Sequence, residues 1–212
     1  MALTIYQLKP RFQALLRPLV ARLAQADVTA NQVTVLACGV SVLIGLALFL
    51  LPCSPAWFGL IPAWMLLRMA LNAIDGMLAR EHDQRSTLGA YLNELTDVLS
   101  DAALYLPFAR VAPFDPFWVA VVVLMAALSE MSGLMGQAVG GGRRYDGPMG
   151  KSDRAFVFGG LGLLVACFGE STGLPSTWSP LSWVLPAVAA LTAWSIHNRI
   201  QSGIQATHER SH

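Results

Sequence analysis

Long apolar runs constrain this chain more than any other feature. A helix needs about 18 or more mostly apolar residues to cross a hydrocarbon core roughly 30 Å thick. Six segments near that length are read here, over 32–51, 56–79, 88–111, 117–139, 154–169 and 181–197. Composition agrees, with 55% hydrophobic and 13% charged residues, against roughly one quarter charged in an ordinary soluble domain. The expected fold is all-α, an integral membrane six-transmembrane-helix bundle in one domain over 1–212. Within it, 1–30 is read as an interfacial helix, 31–200 as the bundle and 201–212 as a cytoplasmic tail. A soluble helical protein is the competing reading, and spans this long and this poor in surface charge rarely suit water.

Short loops rich in Lys and Arg stay on the cytoplasmic side. Lys9, Arg11, Arg17 and Arg22 precede the first span, and Arg80 and Arg85 join the second to the third. Arg143, Arg144, Lys151 and Arg154 join the fourth to the fifth, and Arg199 and Arg210 follow the sixth. Only Arg110 falls in a loop of the opposite side. The expectation is a protein of the inner (cytoplasmic) membrane, with both termini and the charged loops cytoplasmic.

Residues 1–30 lack the continuous apolar core and small-residue cleavage site of a secretory peptide. Ile5, Leu8, Phe12, Leu15, Leu16, Leu19 and Leu23 instead recur at helical spacing, with basic residues between them. That pattern reads as an amphipathic helix on an anionic leaflet, the alternative being a solvated amphipathic arm. Pro10 and Pro18 are expected to interrupt it. Cys38, Cys53 and Cys167 have neither paired nor metal-type spacing. His82, His197, His208 and His212 are scattered and read as ordinary polar residues. There is no Gly-rich nucleotide loop between a strand and a helix, and no basic block suited to nucleic acid, which is not an expected partner. Gly140 to Gly142 reads as a hinge before a basic loop.

One stretch breaks the apolar pattern. Residues 72–101 hold six carboxylates, two Asn, two Gly and two Arg. Ionisable groups at membrane depth cost at least about 2.5 kcal/mol each on insertion scales, so a cluster of them is a functional site by default. Asn72, Asp75, Gly76 and Ala79 share one helical face, closed by Arg80. Beyond a polar turn, Gly89, Asn93, Asp97 and Asp101 follow at intervals of four and form a second stripe. Two antiparallel helices joined by a tight turn are expected to lie side by side with these stripes facing. The result is a pocket of carboxylate and carboxamide oxygens, chemistry that suits a hard divalent cation and phosphates, or an ion-conducting cluster.

These residues resemble the signature of the CDP-alcohol phosphatidyltransferases, D-x-x-D-G-x-x-A-R-x8-G-x-x-x-D-x-x-x-D across two neighbouring transmembrane helices. Every gap is matched, by Asn72, Asp75, Gly76, Ala79, Arg80, Gly89, Asn93 and Asp97. The resemblance extends over the whole chain, since members usually have six transmembrane helices and an amphipathic N-terminal helix. The first span of members starts with a Pro-Asn-x-x-Thr-like sequence; here it reads TANQVT, with Ala30 in place of Pro and Asn31 and Thr34 kept.

The resemblance implies metal binding, since in the family the first three aspartates hold two divalent metals and the last is the proposed general base. Carried over, Mg2+ or Mn2+ would be held by Asn72, Asp75, Asn93 and Asp97, and Asp97 would be the catalytic base. Asn72 and Asn93 depart from the pattern, each removing one negative charge; Asp101, one turn beyond Asp97, is the better replacement carboxylate, ahead of Glu94. The resemblance also implies nucleotide binding by Asp75, Gly76, Ala79, Arg80 and Gly89. The donor would be CDP-diacylglycerol or a related CDP-alcohol, and the acceptor an alcohol or a phosphorylated polyol, with CMP released in phospholipid biosynthesis. Related enzymes hold an acceptor phosphate with basic residues in the loop before the fifth span and near the last span, which here points to Lys151, Arg154 and Arg199. Arg143 and Arg144 read equally as positive-inside anchors. Homodimers are common in the family.

Arg68 and Glu130 are the remaining charges inside spans; pairing is expected for Arg68, and Glu130 is open. Gly133 and Gly136, near Ser129 and Ser132, are expected to permit close packing of the fourth span. Two other functions compete with the transferase: a non-catalytic CDP-lipid-binding relative and an ion-conducting bundle. The orientation is testable directly. In a background without native cysteines, Asp83→Cys should react with a membrane-impermeant maleimide in inside-out vesicles and stay unlabelled in right-side-out ones; the reverse pattern would invert the topology.

Overall fold

The computed structural model describes residues 5–52, 54–170, 174 and 176–208, and among these every regular element is helical. Cys53, Arg210 and His212 lie outside the described residues. Seven α-helices follow in order: α1 Ile5–Gln25, α2 Ala30–Leu50, α3 Leu60–Glu81, α4 Thr87–Tyr105, α5 Pro116–Ala138, α6 Lys151–Phe168 and α7 Val184–His208. Short 3-10 segments, Pro55–Gly59, Leu106–Arg110 and Ser176–Trp183, lead into α3, out of α4 and into α7.

Helix starts follow from local chemistry. Thr29 and Gln32 form a reciprocal capping box at α2, Thr29 accepting from the Gln32 amide at 3.2 Å and Gln32 from the Thr29 amide at 2.9 Å. Ser86 caps α4 through the Gly89 amide at 2.9 Å, and Asp115 caps α5 through the Phe117 amide at 2.8 Å. Contrary to expectation, α1 runs unbroken through Pro10 and Pro18. Each proline removes one intrahelical hydrogen bond, and packing restores the helix: Val20 is fully buried with Ile74, Met77 and Leu78 of α3, and Arg17 pairs with Glu81 at 3.1 Å. The helix α7 also outruns the expected span, continuing through residues 201–207. Thr192, Ser195 and Arg199 are buried along it, and it packs along α5.

Among the described residues four stretches are long and apolar enough to cross a membrane: Ala30–Leu50, Pro55–Glu81, Pro116–Ala138 and Trp178–Thr207. The helices α4 and α6 are not among them, because α4 carries Glu94, Asp97 and Asp101 and α6, with 18 residues, begins on Lys151, Asp153 and Arg154. Large apolar side chains such as Leu43, Leu66, Leu124, Leu163 and Trp194 point outward, each at least half exposed, as a lipid-facing surface requires.

The interior is divided by chemistry. One end is an apolar core in which Phe58, Leu104, Tyr105, Phe108, Phe158 and Leu185 are buried together; the Tyr105 and Phe158 rings stack with centroids 3.8 Å apart. The other end gathers the charges. Between them α2 packs along both α3 and α4, while α3 and α4 make little direct backbone contact among the described residues. The backbones thus stand further apart than in the expected side-by-side pair, while the polar stripes face each other as expected, Arg68 and Asn72 of α3 reaching Asp97 of α4. The intimate partner of α4 is α2, at Gly45, where an added Cβ would meet the Ala103 carbonyl oxygen at 2.1 Å.

Gly45→Val should therefore force α2 off α4 and cost about 1–3 kcal/mol, the usual range for overpacking. On the same helix an added Cβ at Gly39 meets nothing within 4 Å, so Gly39→Ala should be neutral or slightly stabilising. Thermal unfolding midpoints in detergent check both; equal midpoints for the two variants would refute the close approach.

Candidate active site at the polar end of the bundle

A cavity of about 410 Å3 opens where the start of α2, the end of α3, the turn at 82–86 and the start of α4 converge. Its walls include Asn31, Thr34, Asp75, Gly76, Ala79, Arg80, Gly89 and Asn93. All five residues expected at the nucleotide thus line one space. The turn is tied to α2 by Gln84, whose side-chain oxygen accepts from the Ala30 amide at 2.7 Å and whose nitrogen donates to the Val28 carbonyl at 3.3 Å. Gly89 keeps the wall open: a Cβ there would stand 2.7 Å from Asn31 Oδ1 and 3.0 Å from Ser86 Oγ. Asp75 is buried, and its Oδ2 lies 2.7 Å from Thr34 Oγ1. The charged stretch itself carries no signal for Thr34, which lies 41 positions from Asp75.

Asn72, Asp97 and Asp101 are not part of that lining; they stand in the gap between α3 and α4, bridged by Arg68. Arg68 Nη1 donates to Asp101 Oδ1 at 2.6 Å, and Nη2 donates to Asp97 Oδ1 at 2.9 Å and to the Asp97 carbonyl at 3.2 Å. The pairing expected for Arg68 is present, with two carboxylates rather than one. Asn72 Nδ2 also donates to Asp97 Oδ1, at 3.3 Å. The ammonium of Lys151, from the start of α6, faces Asp97 Oδ2. Arg68 and Asp101 are 5% and 4% exposed, so their pairing replaces solvation that the interior withholds.

The basic residues separate into two groups. Lys151 meets Asp97, whereas Arg154 and Arg199 converge on Glu130, Arg154 Nη2 at 2.9 Å and Arg199 Nη1 at 3.8 Å. Arg143 reaches the same carboxylate at 3.6 Å and also pairs with Glu94. Glu130, left open by the sequence, is therefore the common counter-ion of three guanidiniums drawn from α6, α7 and the loop after α5. Arg154 is fully enclosed and donates to the Met149 carbonyl at 3.2 Å. Gly133 and Gly136 admit that loop as well as the neighbouring helix α7: the Arg144 amide donates to the Gly133 carbonyl at 3.1 Å and the Gly141 amide to the Gly136 carbonyl at 2.8 Å, while a Cβ on Gly203 of α7 would stand 4.0 Å from the Gly136 Cα.

For a divalent ion these donors divide unevenly. Asp75 and Asn93 face the cavity with oxygen-bearing side chains. Asp97 is instead ringed by N–H donors, and Asp101 is held by Arg68. Among the described residues no three of His, Cys, Asp or Glu converge closely enough to hold a metal. This donor set fits one hard cation at the cavity, completed by the phosphates of a ligand. It does not fit a pair of ions.

Residues 27–195 match the CDP-alcohol phosphatidyltransferase family. The inner membrane protein YnbA of Escherichia coli (strain K12) is 44% identical over 200 residues, covering 94% of this chain and 96% of that protein. A phosphatidylinositol phosphate synthase of Mycobacteroides abscessus is 26% identical over 186 residues, 85% of this chain and 80% of the other. Among solved structures, the Mycobacterium tuberculosis phosphatidylinositol phosphate synthase PgsA1 in complex with manganese and citrate superposes with a TM-score of 0.69 at 21% identity, covering 88% of this chain and 87% of the other. The same protein with CDP-DAG bound gives a TM-score of 0.59 at 19% identity, with 90% of each chain covered. The fold is therefore shared with PgsA1, and with most of its length matched, the chain belongs to the CDP-alcohol phosphatidyltransferase family.

Proposed function

We propose that this protein transfers a phosphatidyl or similar substituted phosphate group from CDP-diacylglycerol, or a related CDP-alcohol, to an alcohol acceptor, releasing CMP. The observation that carries this reading is the 410 Å3 cavity walled by the signature residues Asp75, Gly76, Ala79, Arg80 and Gly89. A second support is that PgsA1, which shares the fold, has been solved with CDP-DAG bound. The natural setting is the inner membrane, with α2 to α7 as six membrane-embedded helices, α1 at the interface and the cavity cytoplasmic.

In this reading Gly76, Ala79 and Gly89 let the nucleotide approach the backbone, and Arg80 neutralises pyrophosphate charge. Asp75 and Asn93, which face the cavity, are the proposed oxygen ligands of one Mg2+ or Mn2+, which when bound would supply positive charge to the phosphates. Asp97 takes the proton of the acceptor hydroxyl as that oxygen attacks the lipid-side phosphorus; the bond from phosphorus to the CMP oxygen breaks and CMP leaves. Lys151, beside Asp97, brings a phosphorylated acceptor to the base as a point charge. Arg154 and Arg199 are proposed to act on the same phosphate when it displaces part of their hold on Glu130. The three guanidiniums around Glu130 and Glu94 outnumber the two carboxylates, so the cluster retains positive charge for an anion.

A second reading is a non-catalytic CDP-lipid-binding relative, favoured by the engagement of Asp97 with Arg68 and Lys151. Purified protein, CDP-diacylglycerol, Mg2+ or Mn2+ and a panel of alcohols and phosphorylated polyols separate the two. Acceptor-dependent CMP release should fall about 100-fold or more in Asp97→Asn, the typical size of a general-base effect; donor binding without CMP release in the wild type would select the second reading. Lys151→Ala should raise KM for a phosphorylated acceptor about tenfold, the loss of one charge-assisted contact, and leave KM for a neutral acceptor unchanged, any effect through Asp97 falling on kcat for both alike. Equal effects on the two KM values would remove Lys151 from the phosphate site.

A further inference from the structure

The gap between α3 and α4 holds two carboxylates whose charge is already met from within the chain. Arg68 spans Asp97 and Asp101 at 2.9 and 2.6 Å, and Lys151 faces the second oxygen of Asp97. Two anions thus stand against two cations. The third member of the group is an amide. Asn72 Nδ2 lies 3.3 Å from Asp97 Oδ1 and donates to it. With a carboxylate at position 72, two anionic oxygens would stand at that separation, an arrangement relieved by a shared cation or a shared proton. With Asn72 the contact is a hydrogen bond and no cation is called for.

We propose that the Arg68 guanidinium is the fixed counter-ion of the Asp97 and Asp101 pair, so that this chain binds a single divalent ion, at Asp75, and takes its second positive centre from its own side chain. A second divalent ion placed on Asp97 would sit within contact range of both Arg68 and Lys151, and like charges at that distance repel strongly where solvent is scarce. Guanidinium suits this task better than a metal would at that depth. It stays charged whatever the proton or metal concentration, and its planar fork reaches two carboxylates at once. Its chemical consequence is positional. Arg68 and Asn72 hold Asp97 Oδ1, which turns Oδ2 toward Lys151 and the acceptor side. Arg68 is a positioning residue, acting on substrate only through Asp97.

The metal stoichiometry does not depend on the transferase reading, although the role given to Asp97 does. The test is a Mn2+ titration of the full chain in detergent with CDP-diacylglycerol present and no acceptor, followed by electron paramagnetic resonance, with CMP release measured on the same preparation once acceptor is added. The expected result for the wild type is one bound Mn2+ per chain with an uncoupled spectrum. The triple variant Arg68→Met, Asn72→Asp, Asn93→Asp should bind a second ion, spin-coupled to the first, since paired ions in such sites lie roughly 3.5–4 Å apart. Two coupled ions in the wild type, or none, would overturn the proposal, and this arm needs no variant to fold. A monodisperse triple variant that keeps its first ion and gains no second would overturn it as well. One ion bound with no CMP released supports the stoichiometry and defeats the transferase reading, so the two fail separately.

Discussion

The fork of Arg68 on Asp97 and Asp101 is the interaction on which the polar end of this molecule depends. The helices that carry the signature are joined by a short turn yet make little backbone contact among the described residues; α2 packs along both and closes on α4 at Gly45. The opening between them would be an unfavourable place for isolated charges. A guanidinium on α3 reaching two carboxylates on α4 satisfies all three groups at once. Removing one partner from such a buried group strands the others, which is why breaking a buried pair costs far more than the intact pair contributes.

That clamp also explains the division of the interior. Aromatic and aliphatic packing around Phe108 and Phe158 fixes the helices at one end, where close-packed side chains tolerate little displacement. At the other end the helices diverge around a cavity, and electrostatic links replace apolar contact. Glu130 collects Arg143, Arg154 and Arg199 from three separate segments, and Lys151 joins α6 to Asp97 on α4. These links hold together elements whose facing sides must stay polar to admit a charged ligand.

Family membership and an altered ligand set coexist in this chain. Gly76, Ala79, Arg80 and Gly89 keep the positions that shape the cavity wall, while Asn72 and Asn93 stand where the signature has carboxylates. The amide at 72 is turned to use as a donor. The loss of negative charge in the pattern and the presence of Arg68 beside it are two sides of one electrostatic balance.

Much was legible without coordinates. Apolar runs defined the helices, and the fixed spacing from Asn72 to Asp97 located the site, because these signals are local and repeat with the helical period. A helix through Pro10 and Pro18 was not legible, since the compensation comes from Val20 packing on α3. Nor was the separation of the α3 and α4 backbones, or the partners of Asp75, Glu130 and Asp97, which lie tens of residues away. The sequence by itself determined which helices form and which polar groups the membrane-like chain must accommodate. Only the tertiary structure decided which charge meets which, because the chain sets spacing along a helix, whereas the distance between two side chains on different helices is fixed by everything packed between them.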